Sequence, residues 1–348
     1  MAEKLFLSTE QIEDKDRNSF WSQLIGPVYE VSSYDGDTSR QLQGQILSLK
    51  AGPVQIGKTT FNDQKYSRGN RLIALSSADV YYVQLITAGT LTGNYFGTDV
   101  KAGPGDIIFI DMSKPVESLA TAGGRVTLVL PKPRIDRLTN WRPLHGIVLS
   151  AQAAGTGLIN LYLHGLIDMA AEMTIEEAAA AEEALVTLLA SAINGRPRVG
   201  SMADTPEINA PIRHAIIRYI ESNLSSANLG VNEIQKQFNI SRTHLYRMFE
   251  QDHGIAKLIR NKRLDRVVHQ MVRSKPSRLT LKQVAYENGF DTPEALARAF
   301  RERFNASPKE LLGGDNVGEL FLKDPENIHN HLSDPGLLLR RPITGSLK

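Results

Sequence analysis

No cysteine occurs among the 348 residues, which excludes disulfides and thiolate metal sites. Histidine is scarce and late: of eight, none precedes His145. The segment before it therefore has no imidazole to offer a metal. No run approaches the roughly 20 apolar residues that a membrane-spanning helix needs. The N-terminus, with Glu3, Lys4, Glu10, Glu13, Asp14, Lys15 and Asp16, lacks the apolar core of a signal peptide. Gly103-x-Gly105 leads into an apolar run and Gly155-x-Gly157 lacks a third glycine, so both read as turns and not as phosphate loops. These absences argue against a membrane partner, a metal, a cofactor and a catalytic residue. The length suggests two domains with loose ends.

Charge is nearly balanced overall, 40 Lys and Arg against 38 Asp and Glu. The balance hides an asymmetry. Between Pro206 and Leu312 there are 18 basic and 11 acidic side chains, a net of +7, leaving a net of −5 for the rest. A basic domain joined to an acidic one suggests a polyanion partner for the former, since cationic side chains gain affinity by releasing phosphate counterions.

That basic region carries two helix-turn-helix patterns, Leu229 to about Glu250 and Leu279 to about Phe304. Ile212, Ala215, Ile216, Tyr219 and Ile220 form an apolar helical stripe ahead of them. In the first unit Val231, Ile234 and Phe238 predict a short helix. Asn239 and Ile240 make the turn, and Ser241 is placed to cap the next helix. Leu245, Met248 and Phe249 face inward there, leaving Arg242, Thr243, His244, Tyr246 and Arg247 outward. The second unit repeats the plan. Leu281, Val284 and Ala285 support it, Gly289 makes the turn, and Leu296, Phe300 and Phe304 are the inward rungs. Glu294, Ala297 and Arg298 remain outside. A connecting helix, marked by Leu264, Val267, Val268 and Met271, carries Lys257, Arg260, Lys262, Arg263 and Arg266, a face suited to phosphates.

Before this region the period changes. Gln45–Leu49, Tyr81–Ile86, Asp106–Ile110 and Val126–Leu130 read as short strands separated by glycine-rich breaks, the pattern of a sandwich or jelly roll. Thr156 to Ile193 reads as a helical hairpin. One stripe holds Leu158, Tyr162, Leu166, Met169 and Met173; a capping box sits at Thr174–Glu177; Leu185, Leu188, Leu189 and Ala192 follow. The expected fold class is α+β in two domains: a jelly roll at about 28–131 with a hairpin at about 156–193 in residues 1–193, and an all-α domain at 211–312. Residues 194–210 read as a linker and 313–348 as a disordered tail.

Val284-Ala285, Gly289-Phe290, Phe300-Arg301 and the ending Phe304-Asn305-Ala306-Ser307-Pro308-Lys309 resemble the DNA-binding domain of AraC/XylS-type transcription regulators, as does Ser241 through Phe249. The chain departs from that pattern after Gly254, where Ile255-Ala256-Lys257 follows, and in the first turn, where Asn239 stands for a common glycine. Gly103-Pro104-Gly105-Asp106 resembles the turn of cupin-like barrels, and with Leu130-Pro131-Lys132-Pro133 the segment looks like the effector-binding domain fused to such regulators. The resemblance implies a prokaryotic cytoplasmic protein on the nucleoid, with double-stranded DNA, a small-molecule effector and RNA polymerase as partners. It also implies a homodimer through the hairpin, and, by analogy, activation.

The site residues expected on this basis are Arg242, Thr243, His244, Tyr246, Arg247, Glu294, Ala297 and Arg298 on DNA, with Arg263 on phosphate. Along Tyr81–Ile86, Tyr82 and Gln84 share a face that mixes aromatic and hydrogen-bonding groups, suited to a pocket wall. Tyr95 is a further candidate lining residue, and Arg68 or Arg71 would pair an anionic group of an aromatic or carboxylate effector. Two other readings stay open: a cupin-type enzyme tethered to DNA, and a barrel that only binds a partner.

Overall fold

The computed structural model describes residues 2–76, 79–196, 206–273, 280–304, 306–308 and 310. Residues 197–205 of the expected linker, and the expected tail at 313–348, lie outside them. The chain divides into two compact units, one rich in sheet and one helical.

The first unit begins earlier than its periodicity suggests, with β1 (Glu3–Ser8) and helix α1 (Arg17–Ile25). Then come β2 (Glu30–Ser33), β3 (Gly44–Ala51), β4 (Val54–Phe61), β5 (Gln64–Arg68), α2 (Asn70–Ser76) and β6 (Val80–Ala88). Strands β7 (Leu91–Tyr95), β8 (Thr98–Ala102), β9 (Ile107–Asp111), β10 (Val116–Ala120) and β11 (Gly123–Pro131) follow, then α3 (Lys132–Asp136) and β12 (Val148–Leu149). Helices α4 (Ala154–Met169) and α5 (Ile175–Asn194) close the unit. A seven-stranded sheet, ordered β1-β3-β4-β11-β6-β9-β12, faces a five-stranded one, β2-β5-β10-β7-β8, with every pairing antiparallel.

The four strands legible in the sequence all lie in the seven-stranded sheet, because its central strands are covered on both faces and so read as apolar runs. Tyr81, Val83, Leu85, Ile107 and Phe109 pack outward beneath α4 and α5. Tyr82, Ile86, Ile108 and Ile110 point inward, toward α1 and the second sheet. The five-stranded sheet was not legible: its strands, such as Glu30-Val31-Ser32-Ser33 and Val116-Glu117-Ser118-Leu119-Ala120, are short and polar on one face. Asp106 holds the turn before β9 by accepting from the Gly103 and Ala151 amides at 2.9 and 2.8 Å.

In the hairpin the capping box forms: Thr174 Oγ1 accepts from the Glu177 amide at 3.2 Å, and the Glu177 carboxylate from the Thr174 amide at 2.8 Å. Its buried faces differ from the expected stripe. Ile159, Leu163, Leu166 and Ile167 of α4 are buried, while Leu158 and Met169 are exposed. Leu185 and Leu189 of α5 are sealed against the sheet. Each such leucine contributes about 1.5–3 kcal/mol by leaving water.

The helical unit comprises α6 (Pro206–Ser222), α7 (Val231–Phe238), α8 (Arg242–Met248), α9 (Ile255–Arg273), α10 (Leu281–Glu287) and α11 (Pro293–Phe304). Helix α6 starts ahead of the expected residue 211. Ile216, Ile220, Ile234, Leu245 and Phe249 form the core of the first helix-turn-helix, and Val284, Ala285, Leu296 and Phe300 are buried in the second. Leu281, expected to support the second unit, is exposed, and Phe304 is half-buried.

Candidate functional site

Two sites emerge, one in each unit. In the helical unit, Asn239 takes the left-handed conformation at φ 48° and ψ 48°, which turns the chain sharply from α7 into α8. Ser241 caps α8 by accepting from the His244 amide at 3.3 Å. With Leu245 and Phe249 anchored, Arg242, Thr243, Tyr246 and Arg247 are left exposed and His244 half-exposed. The Arg242 guanidinium lies 5.5 Å from the Tyr246 ring centre, giving α8 a cation–aromatic pair on its outer surface. Helix α11 is capped by Thr292, whose hydroxyl accepts from the Ala295 amide at 3.1 Å. Its anchors Leu296 and Phe300 leave Glu294 and Arg298 exposed and Ala297 half-buried. Both helices thus present short polar and cationic surfaces ahead of apolar anchors, as insertion into a major groove requires.

Arg263 does not belong to that surface. Its Nε donates to the Leu224 carbonyl at 3.1 Å and its Nη2 to the Ser226 carbonyl at 2.6 Å, and it is half-buried. Gly289, at φ 74°, packs against it: a Cβ there would fall 2.5 Å from the Leu224 oxygen and 2.9 Å from the guanidinium. Arg263 therefore ties the loop before α7 to the turn before α11, a contact invisible to helical spacing. Its neighbours are also engaged internally. Arg260 pairs with Glu302 at 2.7 Å and Lys262 with Glu221 at 2.5 Å. Of the basic face expected for phosphates, Lys257 and Arg266 are the exposed members.

In the sheet unit a cavity of about 100 Å³ lies inside the barrel, under the C-terminal end of α1. Tyr82 and Gln84 of β6 line it, as their alternation suggests. Three strands bring the polar groups together. Gln84 pairs in register with Thr127 of β11, which pairs with Gly57 of β4. Two residues earlier on β11, Arg125 enters the same cavity. Its Nη1 donates to Gln84 Oε1 at 3.1 Å, while Gln84 Nε2 donates to Thr127 Oγ1 at 3.2 Å. The guanidinium is stacked 4.4 Å from the Phe61 ring centre and 4.9 Å from that of Tyr66. Burial pushes the Tyr66 hydroxyl up to about 12 against the opposing charge of Arg125, so it stays neutral.

Arg125 was missed because the apolar run was read from Val126; one residue earlier, Arg125, Thr127 and Val129 alternate as the inward face of β11. Neither Arg68 nor Arg71 lines the cavity. Arg68 is only 1 % exposed. It donates to the carbonyls of Met112 at 2.9 Å and Val28 at 2.7 Å, and to Ser76 Oγ, which commits it to joining loops. Tyr95 also lies away from the cavity, buried with its ring centre 5.5 Å from that of His145. Among the described residues no cluster of His, Cys, Asp or Glu could hold a metal.

Comparison with known proteins joins the two sites. Residues 25–194 match the model of an AraC-binding-like domain, and residues 234–313 that of a helix-turn-helix domain. The multiple antibiotic resistance protein MarA of Escherichia coli is 27% identical over 119 residues, 34% of this chain and 91% of that protein. The transcriptional activator NphR of a Rhodococcus species is 21% identical over 309 residues, covering 87% of this chain and 90% of its own. The crystal structure of the AraC-like transcriptional activator CuxR aligns with a TM-score of 0.53 at 21% identity, over 75% of this chain and 94% of that one, a likeness of fold.

Proposed function

Because the chain belongs to the AraC/XylS-type transcription regulators, and is thus a DNA-binding regulator and not an enzyme, we propose that it is an effector-responsive activator. In this reading α8 and α11 enter successive major grooves on one face of the duplex, about 34 Å apart. The observation that carries it is the pair of capped, outward-facing helices, one in each helix-turn-helix unit, with α9 between them. Arg247 and Arg298 supply base contacts; Arg242, Thr243, His244 and Tyr246 flank the first, Glu294 and Ala297 the second. The barrel cavity takes a small effector between Tyr82, Gln84 and Arg125.

The activator sense is supported by NphR, whose name states it and which aligns over 87% of this chain. RNA polymerase is then a partner, and the prokaryotic cytoplasm, on the nucleoid, the place of action. The protein works as a homodimer through the hairpin. The surface that supports this reading is the outer side of α4, where Leu158 is 61 % and Leu161 72 % exposed. The test of the whole reading is a footprint of the full chain on DNA selected from random sequence. Protection of two adjacent major grooves per protomer is expected, and protection of a single one would overturn the two-groove reading.

A further inference from the structure

Arg125 is the one cavity-lining side chain with a permanent charge, and it is 7 % exposed. Its Nη2 is buried without a hydrogen-bond partner. None of the residues lining the cavity is an Asp or Glu. A buried guanidinium is costly unless an anion pairs with it and its donors are used. Among the described residues of the unit, every other charged group buried to this degree has compensation: Arg68 donates to main-chain carbonyls, Asp111 pairs with Lys132 at 2.7 Å, and Glu182 with Arg134 at 3.4 Å. Arg125 has instead the face of two aromatic rings and one amide oxygen, and its side chain lines the cavity.

From this we infer that the cavity binds a small organic monocarboxylate, its carboxylate on the Arg125 guanidinium and its hydrocarbon body among Tyr82, Ile46 and Val129. The inference rests on the reading of the barrel as the effector site and names the class of effector. A carboxylate fits because the guanidinium is planar and its Nη1 is held in place by Gln84, so the group is held at a fixed angle in the cavity wall. Gln84 is a positioning residue in this arrangement, locked in turn by Thr127. Size limits the body. The free space is about 100 Å³, whereas an apolar cavity of about 150 Å³ admits benzene. A chain or branch of about three to five carbons is therefore the fit.

The test uses the full chain and four probes: butyrate and isovalerate, with butyramide and isovaleramide as neutral counterparts of the same shape. Binding is read by calorimetry and by the shift of the barrel's melting transition. Both carboxylates are expected to bind and raise the transition, and both amides to bind at least tenfold more weakly. Arg125→Gln should weaken the carboxylates by roughly 10- to 100-fold, the worth of a charged hydrogen bond. Arg125→Lys, which keeps the charge if Gln disturbs the stack on Phe61 and Tyr66, should retain part of the affinity. Amides binding as well as carboxylates, or carboxylates binding Arg125→Gln undiminished, would overturn the assignment while leaving the cavity as the effector site. Failure of all four probes would overturn both.

Discussion

Arg247 and Arg263 have the same side chain in different surroundings. Arg247 stands exposed on α8, whereas Arg263 holds two carbonyls across the junction of the helix-turn-helix units. Arg247→Ala should cost about 1–3 kcal/mol of binding, relax preference at one or two base pairs, and leave stability nearly unchanged. Arg263→Ala should instead destabilise the helical unit by about 1–3 kcal/mol, lowering its melting temperature without changing the sequence preference of the folded fraction. Selection profiles and thermal melts of both variants check the sorting; a shifted base preference in Arg263→Ala would contradict it. His145 provides a residue-scale prediction in pH. Its Nδ1 accepts the Asp111 amide at 3.0 Å, and burial lowers its pKa from 6.5 to about 4. The unfolded chain takes up that proton below about pH 6.5 while the folded barrel refuses it until about 4, so barrel stability should fall as pH drops through that window. His145→Gln should flatten the fall, as measured by urea unfolding at stepped pH.

At the scale of elements, the hairpin has an inner and an outer surface that sequence periodicity alone confuses. Leu185 and Leu189 of α5 belong to the inner one, fully buried against the sheet. Leu185→Glu should therefore unfold the barrel, at a cost of about 3 kcal/mol or more, because a charge would enter a dry core without a partner. Leu158→Glu with Leu161→Glu alters only exposed positions of α4. That double variant should keep the melting temperature of the barrel, yield a monomer by sedimentation, and bind its operator more weakly through loss of the second reading domain. A stable dimer in the double variant would put the interface elsewhere. The turn before α11 gives a further element-scale expectation. Gly289→Ala combines a φ of 74° with a Cβ 2.5 Å from the Leu224 oxygen, so about 1–3 kcal/mol of destabilisation is expected by denaturant titration.

For the whole molecule, the asymmetry of charge matters more than its total. The helical region from Pro206 to Leu312 carries a net of +7 and the remainder −5. DNA affinity should accordingly fall linearly in log–log form with salt, with a slope set by the phosphates contacted, while binding of probes in the barrel follows its own, far weaker salt dependence. Titrations at several salt concentrations separate the two. The internal pairing of Arg260 and Lys262 should make that DNA slope shallower than a count of basic residues on α9 suggests.

Local patterns carried much of this. Helical spacing, the cap at Ser241, the left-handed Asn239 and the capping box at Thr174 are decided within a few residues, so they could be read in order along the chain. The doubly covered strands β6, β9 and β11 announced themselves for the same reason, as largely apolar runs. The five-stranded sheet had no such signal, since its polar outer face dilutes the period. The fates of the arginines were decided only by tertiary contact. Arg68, Arg125 and Arg263 are alike in composition and each sits in a plausible local setting. Which two meet the main-chain carbonyls of distant loops and which one lines the cavity depends on segments about 40 residues away in sequence. A long cationic side chain takes its role from whatever acceptors the fold brings within reach, and no local period records those.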